Sequence, residues 1–117
     1  MKRDWKELES FYTKLAADWD DRKSILAMRN LCSFIQESEL NGKLFGFTSM
    51  ANLWISQFKT TYPSEDFDKF LAVMPRNEVA VEFRFQSWKK VVHDPKLGSH
   101  LLIFLGKVGW IYPEVKS

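Results

Sequence analysis

Cysteine is almost absent from this chain of 117 residues: Cys32 stands alone. One thiol cannot close an intrachain disulfide, so the fold must hold without covalent staples, as cytoplasmic proteins usually do. Long apolar runs are missing too. None is longer than five residues, the length of 101–105, against the roughly 18 that a membrane span requires. The opening Met-Lys-Arg-Asp-Trp-Lys-Glu lacks the apolar centre of a signal peptide, and the expected location is the cytoplasm. Glycine is scarce and badly placed for chemistry. There is no Gly-x-Gly-x-x-Gly, no phosphate loop before Gly106-Lys107 and no Gly-x-Ser-x-Gly elbow. Neither sign of charge dominates. The net charge is +2, divided as −2 over residues 1–68 and +4 over 69–117, and the densest basic feature is Lys89-Lys90. That is too little for a polyanion groove, so nucleic-acid binding through Arg84, Lys89 and Lys90 is a minor reading.

What the chain does have is aromatic weight, 15% of residues within a 45% hydrophobic composition. Large rings bury much area each, which suits one core in a single domain spanning 1–117. The clearest local signal is 79–85, Val-Ala-Val-Glu-Phe-Arg-Phe. Alternation puts Val79, Val81, Phe83 and Phe85 on one side and Ala80, Glu82 and Arg84 on the other, the pattern of a strand with one face on a core and one in water.

Helical spacing runs through Trp5, Leu8, Tyr12, Leu15, Ala16 and Trp19, then through Ile25, Met28, Leu31, Cys32 and Ile35. Arg22 and Arg29 fall on the extension of the first stripe, so the sequence predicts two helices, 4–18 and 21–38, with Asp20 or Asp21 capping the second. Asn41-Gly42 is expected to close it through a left-handed glycine. Residues 44–58 read as extended. Phe45, Phe47, Leu53 and Ile55 are placed on the core side, with a break near 49–52 because an unbroken strand of that length outgrows the domain. Residues 70–74 read as a strand pairing with 79–85, with a helix over 64–74 as the competitor. Residues 88–92 complete a meander after a turn at Gln86-Ser87. Asp94-Pro95 starts a last helix with its stripe at Leu97, Leu101, Phe104, Leu105 and Val108, closed by Gly109; a hairpin over 101–112 is the alternative. The fold class is α+β: an N-terminal helical pair, a mostly antiparallel sheet of three to five strands, and a C-terminal helix packed on one face.

Chemistry-bearing residues are few. His93, Asp94 and His100 share one neighbourhood but fall short of a three- or four-ligand metal set, and Asp94 is better used as a cap. Cys32 sits in an apolar stripe without a cation to lower its pKa, so it reads as core filler. The acidic runs Asp18, Asp20, Asp21 and Glu65, Asp66, Asp68 lack the glycine and terminal glutamate of a calcium loop. No catalytic residue, metal site or cofactor is expected, and the sequence points away from an enzyme. The remaining feature is a surface. With Phe45 and Phe47 inward, alternation sends Thr48, Met50, Asn52, Trp54 and Ser56 outward, joined by Glu82 and Arg84. Trp, Met and Arg among small polar residues is a composition enriched at interfaces. The expected function is a small interaction module, inhibitor- or adaptor-like, binding a protein partner or itself through that exposed sheet face. The alternatives are a small-ligand-binding domain with an aromatic pocket and, less favoured, an enzyme with an unrecognised site.

Overall fold

Three helices lie over one face of an antiparallel sheet in a computed structural model that describes residues 2–19, 22–57, 69–94 and 96–110. The elements run β1 (Lys2–Arg3), α1 (Trp5–Asp18), α2 (Lys23–Gln36), a 3-10 turn (Glu39–Gly42), β2 (Phe45–Ser49), β3 (Asn52–Ser56), β4 (Leu71–Pro75), β5 (Val81–Phe85), β6 (Trp88–Val92) and α3 (Leu97–Val108). The strands neighbour one another in sequence order, every pair antiparallel. The expected α+β layout is the one the chain adopts. Beside five full strands it has the two-residue β1, too short to show any periodicity in sequence.

Asp4 starts α1 with a capping box: its Oδ1 accepts the Glu7 N–H at 2.8 Å, and Glu7 Oε1 accepts the Asp4 N–H at 3.4 Å. Trp5, Leu8, Tyr12 and Ala16 are buried at helical spacing. Trp19 lies past the helix end and is exposed, with the Arg22 guanidinium 5.2 Å from its ring. The second helix begins at Lys23 with no side-chain cap; Asp20 and Asp21 lie outside the described residues. It ends at Gln36, and Ser38 then caps the 3-10 turn by accepting the Leu40 N–H at 3.1 Å. Gly42 does not take the left-handed conformation expected of it. Polar side chains at Ser38 and Asn41 end the helix instead, each bonding a carbonyl in its last residues: Ser38 Oγ donates to Ile35 and Asn41 Nδ2 to Gln36.

The last helix starts three residues after Asp94, which accepts the Lys96 N–H at 2.9 Å ahead of the helix rather than capping it. Its C-terminus is as expected. Gly109 is left-handed (φ 77°), Trp110 N–H reaches Leu105 O at 3.0 Å and Gly109 N–H reaches Gly106 O at 3.3 Å, a Schellman closure. Leu97, Leu101, Phe104 and Leu105 are buried, and the Phe104 ring lies 5.9 Å from that of Phe83.

One hydrophobic cluster joins the helices to the sheet. It includes Leu53, Ile55, Leu71, Val73, Val81, Phe83 and Val92 from the strands. Two side-chain donors fasten α1 to β2–β3: Trp5 Nε1 bonds Leu44 O at 3.0 Å, and the buried Tyr12 hydroxyl bonds Ala51 O at 2.9 Å. Gly46 allows this approach, since a Cβ there would lie 2.5 Å from Leu8 Cδ1 and 2.9 Å from the Trp5 ring. Among the described residues no helix is long and apolar enough to cross a membrane.

Candidate interaction surface

The seven residues expected on one open face do not share it. The β2–β3 loop is only Met50 and Ala51, and the register pairs Phe45 with Ser56, Gly46 with Ile55, Phe47 with Trp54 and Thr48 with Leu53. Directly paired residues lie on the same side of a sheet. Thr48 therefore belongs with Leu53 on the helix side, while Phe45 and Phe47 belong with Trp54 on the other. Counting alternation straight through the loop reverses the sides of β2, because the pairing joins odd to even positions. Asn52, Trp54, Ser56, Glu82 and Arg84 do lie together on the side away from the helices, and Met50 projects from the loop at 88% exposure.

That side is not an open face. Ser56 is 0% and Glu82 3% exposed, Ala72, Met74 and Phe70 are buried, and Asn52 and Trp54 are half-buried. The Trp54 ring meets Phe70 edge-on at 6.3 Å. Of the expected surface, only Met50 and Arg84 are exposed, Arg84 about half so.

Glu82 is a structural hub. Its Oε1 accepts from Arg76 Nε at 2.9 Å and its Oε2 lies 2.8 Å from Arg84 Nη2, both arginine side chains being about half exposed. Burial alone would raise the carboxyl pKa. The Arg76 hydrogen bond and the charges of Arg76, Arg84 and Lys89 outweigh it, so the group sits below the usual carboxylate range and is ionised at neutral pH.

The exposed apolar surface of the sheet is at its edge. Among the described residues β6 pairs with β5 and with no other strand. Trp88 is 52% and Val91 43% exposed, with Lys89 and Lys90 exposed between them and only Val92 buried. Register places Trp88 and Lys90 on the helix side, opposite Phe85 and Phe83, and Lys89 and Val91 on the other, opposite Arg84 and Glu82. An edge strand aims every second residue's N–H and C=O away from the sheet, a template for another strand. The opposite edge offers β1, two residues long. Beyond the Val92 end of β6 a cleft of about 330 Å³ opens where α2 meets the sheet; Lys23, Arg29 and His93 line it over Leu26, Ala27 and Val79, with no acidic residue among the described lining.

Other candidate groups resolve as structure. Cys32 is fully buried, and burial, with the charge of Glu9 after it, raises its thiol pKa far above the ordinary value. His100 Nε2 lies 3.4 Å from Asp94 Oδ2, while exposed His93 lines the cleft, and no three potential metal ligands cluster among the described residues. Glu65, Asp66 and Asp68 lie outside the described residues. Among the described residues, one hydrophobic cluster packs between helices and sheet. A second cleft, about 450 Å³, lies along α1 between Asp4 and Lys14, with Phe11 the one ring among its described lining.

Sequence alone did not single out β6. Its composition, Trp-Lys-Lys-Val-Val, was readable, but that it ends the sheet is decided by pairings between distant strands. Compared with known proteins, the chain matches no protein-family model, no curated protein and no solved structure.

Proposed function

We propose that this protein is a small cytoplasmic interaction module that captures an extended segment of a protein partner along the outer edge of β6. The observation that carries the reading is the exposure of four consecutive edge residues, Trp88 to Val91, on a strand otherwise built into the sheet. Strand addition draws affinity from main-chain hydrogen bonds, which an edge supplies without any catalytic or metal-binding residue. Trp88 and Val91 project to opposite sides of that edge, so an added strand would shield apolar surface on both. The buried residues around Trp54 make the sheet face the weaker site.

Selection of peptides from a displayed library on immobilised protein, followed by amide shift mapping of a selected peptide, tests this. Shifts are expected to concentrate in 85–92. Perturbations centred on Trp54 and Asn52 would return the contact to the sheet face and remove the edge reading.

A further inference from the structure

From the charges on this edge we infer that the segment it captures has an apolar–acidic–acidic–apolar core; the inference rests on the edge-capture reading. The strand presents Trp88-Lys89-Lys90-Val91 in extended conformation, so the sequence of an added strand is constrained position by position. On the helix side the edge offers a ring and an ammonium, Trp88 and Lys90; on the other it offers Lys89 and Val91. Cross-strand neighbours on one face are favourable when charges oppose and unfavourable when they match. Each lysine therefore selects a carboxylate, and Trp88 and Val91 select apolar side chains. The complement reads the same in both directions, so it fits a parallel or an antiparallel addition.

The surroundings have the same sign. Arg84 lies beside Lys89 in the register, and Arg76 and Arg84 share the single carboxylate of Glu82, leaving positive charge in excess. At the Val92 end the cleft adds Lys23, Arg29 and His93, with no acid among its described lining, although Glu78 and Asp94 adjoin Val79 and His93 in the chain. A partner strand thus meets cations along the edge and beyond it. A second copy of this chain is the wrong occupant: two β6 strands added edge to edge bring lysines against lysines, the device by which edges resist self-pairing. A single-stranded nucleic acid fits less well. It has no amide backbone to complete the edge, and one exposed ring on β6 is a poor stacking platform.

Fluorescence anisotropy with labelled peptides of about eight residues, matched except at the core, decides the point. The cores are Val-Glu-Glu-Val, Val-Thr-Thr-Val and Val-Lys-Lys-Val, joined by the acidic peptide with alternate backbone amides methylated and by an oligothymidylate. The glutamate peptide is expected to bind roughly ten-fold or more tighter than the threonine one and to weaken as salt rises from about 0.05 to 0.3 M. The lysine peptide should be weakest, and backbone methylation should abolish binding. The double variant Lys89→Glu, Lys90→Glu, with circular dichroism confirming its fold, should reverse the preference between the glutamate and lysine peptides. Equal binding of glutamate and threonine peptides overturns the acidic core while leaving edge capture standing. Undiminished binding of the methylated peptide, or of no peptide at all, overturns edge capture itself. Tighter binding of the oligothymidylate than of any peptide overturns both.

Discussion

Met50 holds a conformation its side chain disfavours. It is the first residue of the two-residue β2–β3 loop and has φ 57°; Gln86 holds the corresponding place before β6 with φ 54°. The second residues of these loops, Ala51 and Ser87, keep negative φ, the pattern of a hairpin turn that favours glycine first. A side chain in the left-handed region costs about 1–2 kcal/mol, and glycine's extra chain entropy returns about half of that. Met50 is almost wholly in water and loses no packing. Met50→Gly should therefore raise stability by about 0.5–1 kcal/mol, seen as a higher urea midpoint at unchanged slope. Glu82 is the opposite case, a residue whose side chain matters more than its strand position suggested. The sequence placed it in water; the structure buries it between Arg76 and Arg84. Glu82→Gln should cost about 1–3 kcal/mol at pH 7, because a charge-assisted pair is lost in a buried place. Since the folded carboxyl pKa is depressed, its contribution is complete above the unfolded value, about 4.3, and disappears as pH falls through the lower folded value. Denaturation of both proteins at pH 7 and in increasingly acid buffer should show the difference narrowing only below that value. A gap that stays constant would mean that packing, not charge, makes the difference.

Two glycines separate what elements need from what they tolerate. Gly46 lies where α1 crosses β2, and the atoms a Cβ would meet belong to the fully buried Leu8 and to Trp5, which is tethered to Leu44 O. Gly46→Ala should lose about 1–3 kcal/mol through overpacking. Gly106, within α3, has nothing within 4 Å of that position and no positive φ. There, Gly106→Ala should gain about 1 kcal/mol from helix propensity alone. Opposite shifts in melting temperature are expected, and a stabilised Gly46 variant would mean that α1 does not seat against β2 as closely as this. Gly46 also shows where the sequence could be read and where it could not. The stripes of all three helices follow a 3.6-residue period written in the chain, and the core side of β5 follows from Val81 and Phe83. The sides of Phe45, Phe47 and Thr48 do not, because pairing across a two-residue loop reverses the count and a glycine, not a phenylalanine, faces the helix. The edge position of β6 is likewise non-local, and β1 is too short to carry any period.

At the scale of the whole molecule, the two sides of the sheet and its edge should rank differently in stability, and that ranking bears on function. Phe83 belongs to the central cluster, 1% exposed against Phe104, so Phe83→Ala should cost about 3–5 kcal/mol. Small domains have about 5–15 kcal/mol in total, and this variant should melt far below the native protein. Trp54 lies outside that cluster but is half-buried and edge-on to Phe70. Trp54→Ala should therefore cost about 2 kcal/mol, where an open-face residue would cost less than about 1. Trp88 is half in water on an edge that pairs with no second strand among the described residues, and Trp88→Ala should stay within about 0.5 kcal/mol of the native protein. Urea denaturation of the three alanine variants, read by circular dichroism because each removes or perturbs a ring chromophore, gives the order directly. If Trp88→Ala falls as far as Trp54→Ala, the β6 edge is part of the fold's own packing and is not open to a partner strand. If it does not fall but peptide binding does, the same ring is dispensable for folding and required for capture, which is the combination an interaction site must show.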